Sequence, residues 1–160
     1  VSKIIGLDVG TKRVGVAIGD TETKFAAPLE TFDRAQGRAE KRILELQGRE
    51  EPSLVVVGLP VNDDGSLNDQ CLLVLAFCRR LKRRLNVPLV YVDEYLTSLE
   101  SQEILGLSGR RERAQRAAGS VDAMAAALIL RSYLETGVVI TVPEESPSSE
   151  PRGRNRTGSR

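Results

Sequence analysis

Ile4–Asp20, IIGLDVGTKRVGVAIGD, reads as two β-strands joined by a Gly-rich turn, and the rest of the chain is arranged around it. Ile4 and Ile5 lead to a lone acid, Asp8. Gly10, Thr11, Lys12 and Arg13 turn the chain, after which Val14, Val16 and Ile18 alternate with Gly15, Ala17 and Gly19. An acid near the end of an apolar strand belongs on the rim of a sheet. Three small residues on one face of the second strand admit a neighbour very close to the backbone, and Lys12 and Arg13 set positive charge beside the carboxylate. Such a corner suits a metal ion and a phosphate. The same residues also describe an ordinary hairpin with an exposed Asp, so the remainder of the chain has to decide.

At 160 residues and 17.5 kDa the chain fits one domain with a true core and a short tail. Its 41% hydrophobic content suits a globular protein, and no apolar run approaches the roughly 20 residues that span a bilayer. The chain as given enters its first strand almost at once, without a charged n-region and an apolar h-region. No secretory signal is therefore expected, no membrane partner, and a cytoplasmic location. Cys71 and Cys78 are two helical turns apart, about 10 Å along a helix axis and beyond the roughly 7 Å limit for a disulfide, so both read as core residues.

Histidine is absent from the chain. Its absence removes Ser-His-Asp and Cys-His catalysis, histidine-ligated metal nucleases and imidazole bases together, and leaves carboxylates as the reactive groups of an enzyme. Carboxylate sites select hard cations such as Mg²⁺ or Mn²⁺.

After the first hairpin, Phe25–Phe32 reads as a third strand of an antiparallel meander, with Pro28 marking an edge. Ala35–Glu50 carries Ala39, Ile43 and Leu46 at helical spacing within a charged sequence, a surface helix that rests one stripe on the sheet. Leu54–Val57 is a short continuous apolar run, as expected of a strand buried on both faces with a parallel neighbour. Asn62-Asp63-Asp64-Gly65 forms a turn, and Asn68 or Asp69 caps the next helix. In that helix Val74, Phe77, Cys78, Leu81 and Leu85 share a face, with Arg79, Arg80, Lys82, Arg83 and Arg84 around the remainder.

Leu89–Val92 is a second buried strand that runs into Asp93-Glu94. Thr97 and Glu100 offer a capping box for a helix to about Leu105, and Gly106–Gly119, with Arg110, Arg111, Arg113 and Arg116, reads as a mobile basic loop. Ser120 caps a last helix, Val121–Leu134, rich in small residues and stopped by Gly137; Val138–Val142 adds an extended piece. Beyond it Pro, Ser, Glu, Gly and Arg dominate, which predicts a domain over 1–142 and a disordered basic tail over 143–160.

The order β-β-β-α-β-α-β-α-α, with right-handed crossovers, places strands four and five parallel to strand one in a five-stranded mixed α/β sheet flanked by helices. Asp8 and Glu94 then end strands on the same rim, and Asp122, in the first turn of the last helix, reaches the same corner. Three acids meeting there repel one another unless cations neutralise them. Taken singly, Asp122 could serve only the helix dipole and Glu94 only pair with an arginine. As a set they point to metal binding.

Four motifs, IGLDVGTKRVGVAIGD, VVGLPVNDDGSLNDQ, VYVDEYLTS and GSVDAMAAALIL, stand in this order and at these distances. Together they resemble the YqgF/RuvX family, small bacterial relatives of RuvC with an RNase H-like fold, over about Ile4 to Tyr133. The resemblance implies a nuclease for pre-16S rRNA, with Holliday-junction resolvase as the other activity attached to the family. It carries over Asp8, Glu94 and Asp122, the three acids already reached. Two positions depart from the family's pattern: Tyr95 stands where arginine is usual after the Glu, and Ala118 where lysine is usual before the Gly. Both remove positive charge.

With two cations roughly 3.5–4 Å apart, one activates water and the other steadies the departing oxygen as a phosphodiester is cut in line. Asp8 would bridge them, with Glu94 and Asp122 on either side. Lys12, Arg13, the Asn62–Gly65 loop and Arg110, Arg111, Arg113 and Arg116 are the candidate phosphate contacts on RNA or branched DNA; each group could equally be a solvated surface. A strand of RNA can be trimmed by a monomer. A junction resolvase needs a two-fold dimer, and the arginine-rich helix 71–85 offers little surface for one, although the Phe25–Phe32 edge could pair across a two-fold axis. Two rivals stand beside the nuclease. An actin-like kinase shares the Asp-x-Gly-Thr opening but needs two such domains, and a non-cutting nucleic-acid-binding protein would have no use for the acids.

Overall fold

The computed structural model describes residues 2–94 and 121–142. In chain order they form β1 (Lys3–Val9), β2 (Arg13–Asp20), β3 (Ala26–Asp33), a 3-10 turn (Ala35–Gly37), α1 (Arg38–Glu50), β4 (Leu54–Leu59), α2 (Asp69–Lys82), β5 (Leu89–Asp93) and α3 (Val121–Thr136). The sheet order is β3-β2-β1-β4-β5. β1 runs antiparallel to β2 and β2 to β3, whereas β4 lies parallel to both β1 and β5. The expected meander followed by parallel crossovers is therefore the observed topology. β3 is an edge, as Pro28 requires, and its register with β2 slips where Val16 opposes Glu30 and Ala17 opposes Pro28.

Side-chain alternation along each strand sorts the core into two layers. Ile5, Leu7 and Val9 of β1, Val14 and Val16 of β2, and Val55, Val57 and Leu59 of β4 face α1 and α2. α1 covers them with Ala39, Ile43 and Leu46, the stripe read from the sequence, and α2 with Cys71, Val74, Leu75, Phe77, Cys78 and Leu81. Both cysteines are buried free thiols. Asn68 supplies the cap, its side chain accepting from the Cys71 N–H at 3.0 Å. α2 stops at Lys82, short of the expected Leu85, which still packs against the same core.

The opposite face is built differently. Ile4, Ala17, Val56 and Val92 pack against Ala126, Ala127, Ile129 and Leu130 of α3. Between them lie positions with no side chain. A Cβ on Gly6 would stand 2.9 Å from the Ala126 carbonyl, and one on Gly15 would collide with the carbonyl of Asp122. The small face noticed on β2 is thus the seat of α3. That helix presses its backbone onto the sheet and is buried almost all round, from Ala123 to Ser132.

Gly137 closes α3 in the left-handed region (φ +67), and its N–H bonds the Tyr133 carbonyl at 2.8 Å. The extended piece after it makes one antiparallel bridge, Ile140 to Tyr91, on the outer edge of β5. Among the described residues no helix is long and apolar enough to cross a membrane. The expected helix 97–105, the loop 106–119 and the tail 143–160 lie outside the described residues.

Two glycine substitutions should act in opposite directions. Gly15→Ala sets a methyl against main chain that cannot rotate away and should lower stability by about 1–3 kcal/mol. Gly48→Ala lies on the exposed side of α1 with nothing within 4 Å and should raise stability by up to about 1 kcal/mol. Urea unfolding of both variants beside the parent chain measures the two signs.

Candidate active site

Alternation fixes where each acid points. Ile4 and Gly6 meet α3, so Asp8, two residues further along β1, is on the same face at the strand's carboxyl end. Val92 of β5 also meets α3, so Glu94, just past the strand, follows it to that face. A Cβ on Gly58 of β4 would lie 3.6 Å from the Glu94 Cβ, which places Glu94 over the intervening strand, toward Asp8. Asp122 arrives from the other layer. Gly15 is the cross-strand partner of Asp8 and also the residue on which the Asp122 carbonyl rests. The missing Cβ therefore brings the start of α3 down beside Asp8.

The corner is electrostatically costly. Burial, the neighbouring Glu94 carboxyl with which it shares a hydrogen bond, and the negative charge of Asp122 together push Asp8 from its ordinary 3.8 up to about 8. Burial and the charge of Asp93 push Glu94 up as well, while its hydrogen bond with Asp8 pulls the other way. The two carboxyls are joined by a hydrogen bond and titrate as a pair, both held above the ordinary carboxylate range. Asp122 has a cation instead: its Oδ2 lies 3.3 Å from Nε of Arg13. Arg13 is 64% exposed, so the pair is a weak tether, worth at most about 1 kcal/mol.

As these side chains stand, no group of three or more Cys, Asp and Glu among the described residues is arranged to hold a metal ion. Asp8 and Glu94 are joined by a hydrogen bond and Asp122 is turned to Arg13. The donor set nonetheless suits a hard divalent cation, being all carboxylate oxygen. A cation there would offset the burial and repulsion that raise Asp8, and at Asp122 it would compete with one exposed guanidinium.

Next to the acids a cleft of about 260 Å³ is lined by Val9, Gly10, Thr11, Arg34, Pro60, Gln70, Leu73, Val74 and Glu94. A wider one of about 550 Å³, lined by Thr11, Lys12, Asp33, Arg34, Ala35 and Leu73, meets it along Thr11, Arg34 and Leu73. Of the candidate phosphate contacts, Lys12 lies in this groove and Arg13 stands at Asp122. Asn62 and Gly65 do not line it. The Asn62 amide is used inside its own loop, donating to Ser66 Oγ at 2.9 Å and accepting from Asn68 at 3.0 Å, and Pro60 is the loop residue that reaches the cleft. Arg110, Arg111, Arg113 and Arg116, with the departures Tyr95 and Ala118, lie outside the described residues.

Arg34, Thr11 and Gln70 were not expected at the site. The signal for Arg34 was the meander, since antiparallel pairing of β2 with β3 sets Asp33 opposite Arg13 and so returns the chain to the turn after Asp8.

A sequence profile of the RuvX family, described as Holliday junction resolvase, matches residues 2–136. The chain belongs to the RuvX family. Curated relatives named "Putative pre-16S rRNA nuclease" include one from Thermoanaerobacter pseudethanolicus, 37% identical over 135 residues that cover 84% of this chain and 96% of that protein. Another, from Syntrophus aciditrophicus, is 39% identical over 90% of this chain and 95% of its own length, and one from Pseudomonas fluorescens Pf-5 is 41% identical over 82% and 91%. The RuvX chain also superimposes on Thermus thermophilus RuvC in complex with a Holliday junction substrate, with a TM-score of 0.56 at 17% identity over 89% of this chain and all of that one. A resolvase of fowlpox virus in complex with junction DNA follows at 0.50 and 13%, covering 85% and 99%. At such identities the likeness is one of fold, the RNase H-like fold that the motifs implied.

A raised carboxyl favours the folded state while protonated. The folded chain therefore holds an extra proton between the unfolded pKa, near 4, and about 8, and stability drains away as pH rises through that window. In chelator, the thermal transition should fall from pH 5 to pH 8 and Asp8→Asn should flatten much of that slope. Each kcal/mol recovered at pH 8 should appear as about 2–4 °C. Calorimetry at both pH values checks the sign.

Proposed function

We propose that this chain is a metal-dependent endonuclease that hydrolyses phosphodiester bonds in the precursor of 16S rRNA, with Asp8, Glu94 and Asp122 holding Mg²⁺ or Mn²⁺. One observation carries the reading: a half-buried, hydrogen-bonded carboxyl pair with a raised proton affinity has a third acid beside it, and one of the pair, Glu94, lines a cleft that continues past Arg34 to Lys12. The naming of relatives that align over nearly their whole length supports the substrate.

Bound cations supply charge neutralisation at the phosphate and a water acidic enough to attack near neutral pH. The chain's own residues do the rest. Asp8 and Glu94, when ionised, form the anionic wall of the site. The close seat of α3 on Gly15 keeps Asp122 level with them, and Arg13, weakly held, can exchange that carboxylate for a phosphate oxygen. Thr11 and Lys12 line the path along which the strand continues.

Resolution of a four-way junction is the second reading, and the exposure of Leu72 and Leu73 at the start of α2 favours it, since a two-fold dimer needs an apolar contact. Against it, the apolar stripe of α2 is spent on the sheet, and Arg83 and Arg84 at the far end are exposed like charges that would meet in a self-paired helix. A monomer trimming one strand needs one site and one groove.

Cleavage should require Mg²⁺ or Mn²⁺ and be abolished by Asp8→Asn, which keeps the shape and removes the charge; undiminished cutting in excess chelator would refute the metal assignment. Labelled ribosomal precursor should be cut faster than a four-way junction in parallel assays, with sedimentation giving a monomer. A stable dimer that makes paired symmetric nicks and leaves the RNA intact would reverse that order.

A further inference from the structure

Arg34 leaves β3 at the rim and is tied to both sides of the turn that follows Asp8. Its Nη1 donates to the Gly10 carbonyl at 2.7 Å and its backbone N–H donates to the Lys12 carbonyl at 2.9 Å. The guanidinium carbon lies 4.9 Å from the centre of the Phe77 ring, an attraction that also excludes water from one face. Phe77 is itself fully buried, so the platform beneath the guanidinium is rigid. Among the described residues one of the five guanidinium donors goes to Gly10, which leaves a pre-set fork.

That fork stands where the two clefts meet. Arg34, Thr11 and Leu73 line both, with Glu94 in the narrow one and Lys12 in the wide one. A polymer passing from the acids into the wide groove has to cross Arg34. In the wide groove the charge of Asp33 offsets that of Lys12, so the strand can continue there while the junction at Arg34 is the stronger seat for a phosphate. Opposite the guanidinium, Leu73 is 52% exposed and offers an apolar surface to a sugar or base.

We propose that Arg34 forms a phosphodiester subsite, gripping the phosphate next to the one that is cut and so setting the register of the strand over Asp8 and Glu94. The inference rests on the nuclease reading. A guanidinium held by one hydrogen bond, stacked on a ring and carried on a backbone pinned to Lys12 loses little freedom when it binds a planar pair of phosphate oxygens.

The test uses the full chain and a short fluorescent single-stranded RNA, titrated in chelator over a salt series. The parent chain, Arg34→Gln and Arg34→Lys are compared, with folding checked by circular dichroism. Arg34→Gln should reduce the salt slope by about 0.7, the loss of one phosphate contact on a single strand, while Arg34→Lys keeps most of it. With Mn²⁺, Arg34→Gln should raise KM more than it lowers kcat. A second series carries one methylphosphonate linkage beside a 2′-deoxy sugar, moved along the RNA. One linkage beside the cut should weaken the parent about tenfold and cost Arg34→Gln nothing further. An unchanged slope in a folded Arg34→Gln, or the same linkage penalty in both chains, overturns the subsite. Should Arg34→Gln fail to fold, Arg34→Lys decides: a penalty at the same linkage supports the subsite, and a penalty at no linkage overturns it. Binding with the expected pattern but no cutting would count against the nuclease reading alone.

Discussion

A backbone contact without a Cβ governs this molecule. Where Asp122 begins α3, its carbonyl rests on Gly15, and Gly15 is the strand partner of Asp8. A single methyl at that point would lift the helix start off the sheet and carry the third acid away from the other two. Gly6, Gly19 and Gly58 continue the same seat beneath Leu130 and Ile129, so the helix is fixed in height along its length. Packing and chemistry are here one constraint, because the helix that completes the second core layer also delivers an acid to the rim.

The rim that results is electrostatically unfavourable by construction. Two half-buried carboxyls hydrogen-bond to each other and a third leans on an exposed arginine, a weak tether that is easily displaced. Such an arrangement stores destabilisation in the free protein that a divalent cation can relieve. With no histidine in the chain, the three acids offer a metal ion carboxylate oxygen donors.

Positive charge is concentrated beside the acids. The chain's net charge of +1 hides a local concentration of positive charge, with Lys12 and Arg34 in the groove and Arg13 beside Asp122. Aromatic residues are only 4% of the chain, so a strand is held here by its phosphates more than by stacked bases. The Asn62–Gly65 loop is tied together by hydrogen bonds among Asn62, Asp64, Ser66 and Asn68.

The sequence by itself determined the strands, the helix faces and the acids, because these rest on local regularities. Alternation in β2, the stripe Ala39, Ile43 and Leu46, the continuous apolar run of β4 and the lone Asp8 are legible within a window of a few residues. It also implied that the small face of β2 receives a close neighbour. Which neighbour, and that it would be the segment starting at Asp122, was decided by tertiary structure, since more than a hundred residues separate the two. The hydrogen bond between Asp8 and Glu94, the turn of Asp122 toward Arg13 and the recruitment of Arg34 were invisible for the same reason. Each depends on the distance between side chains from different strands, and no spacing along a chain encodes that until the sheet has set the strands side by side.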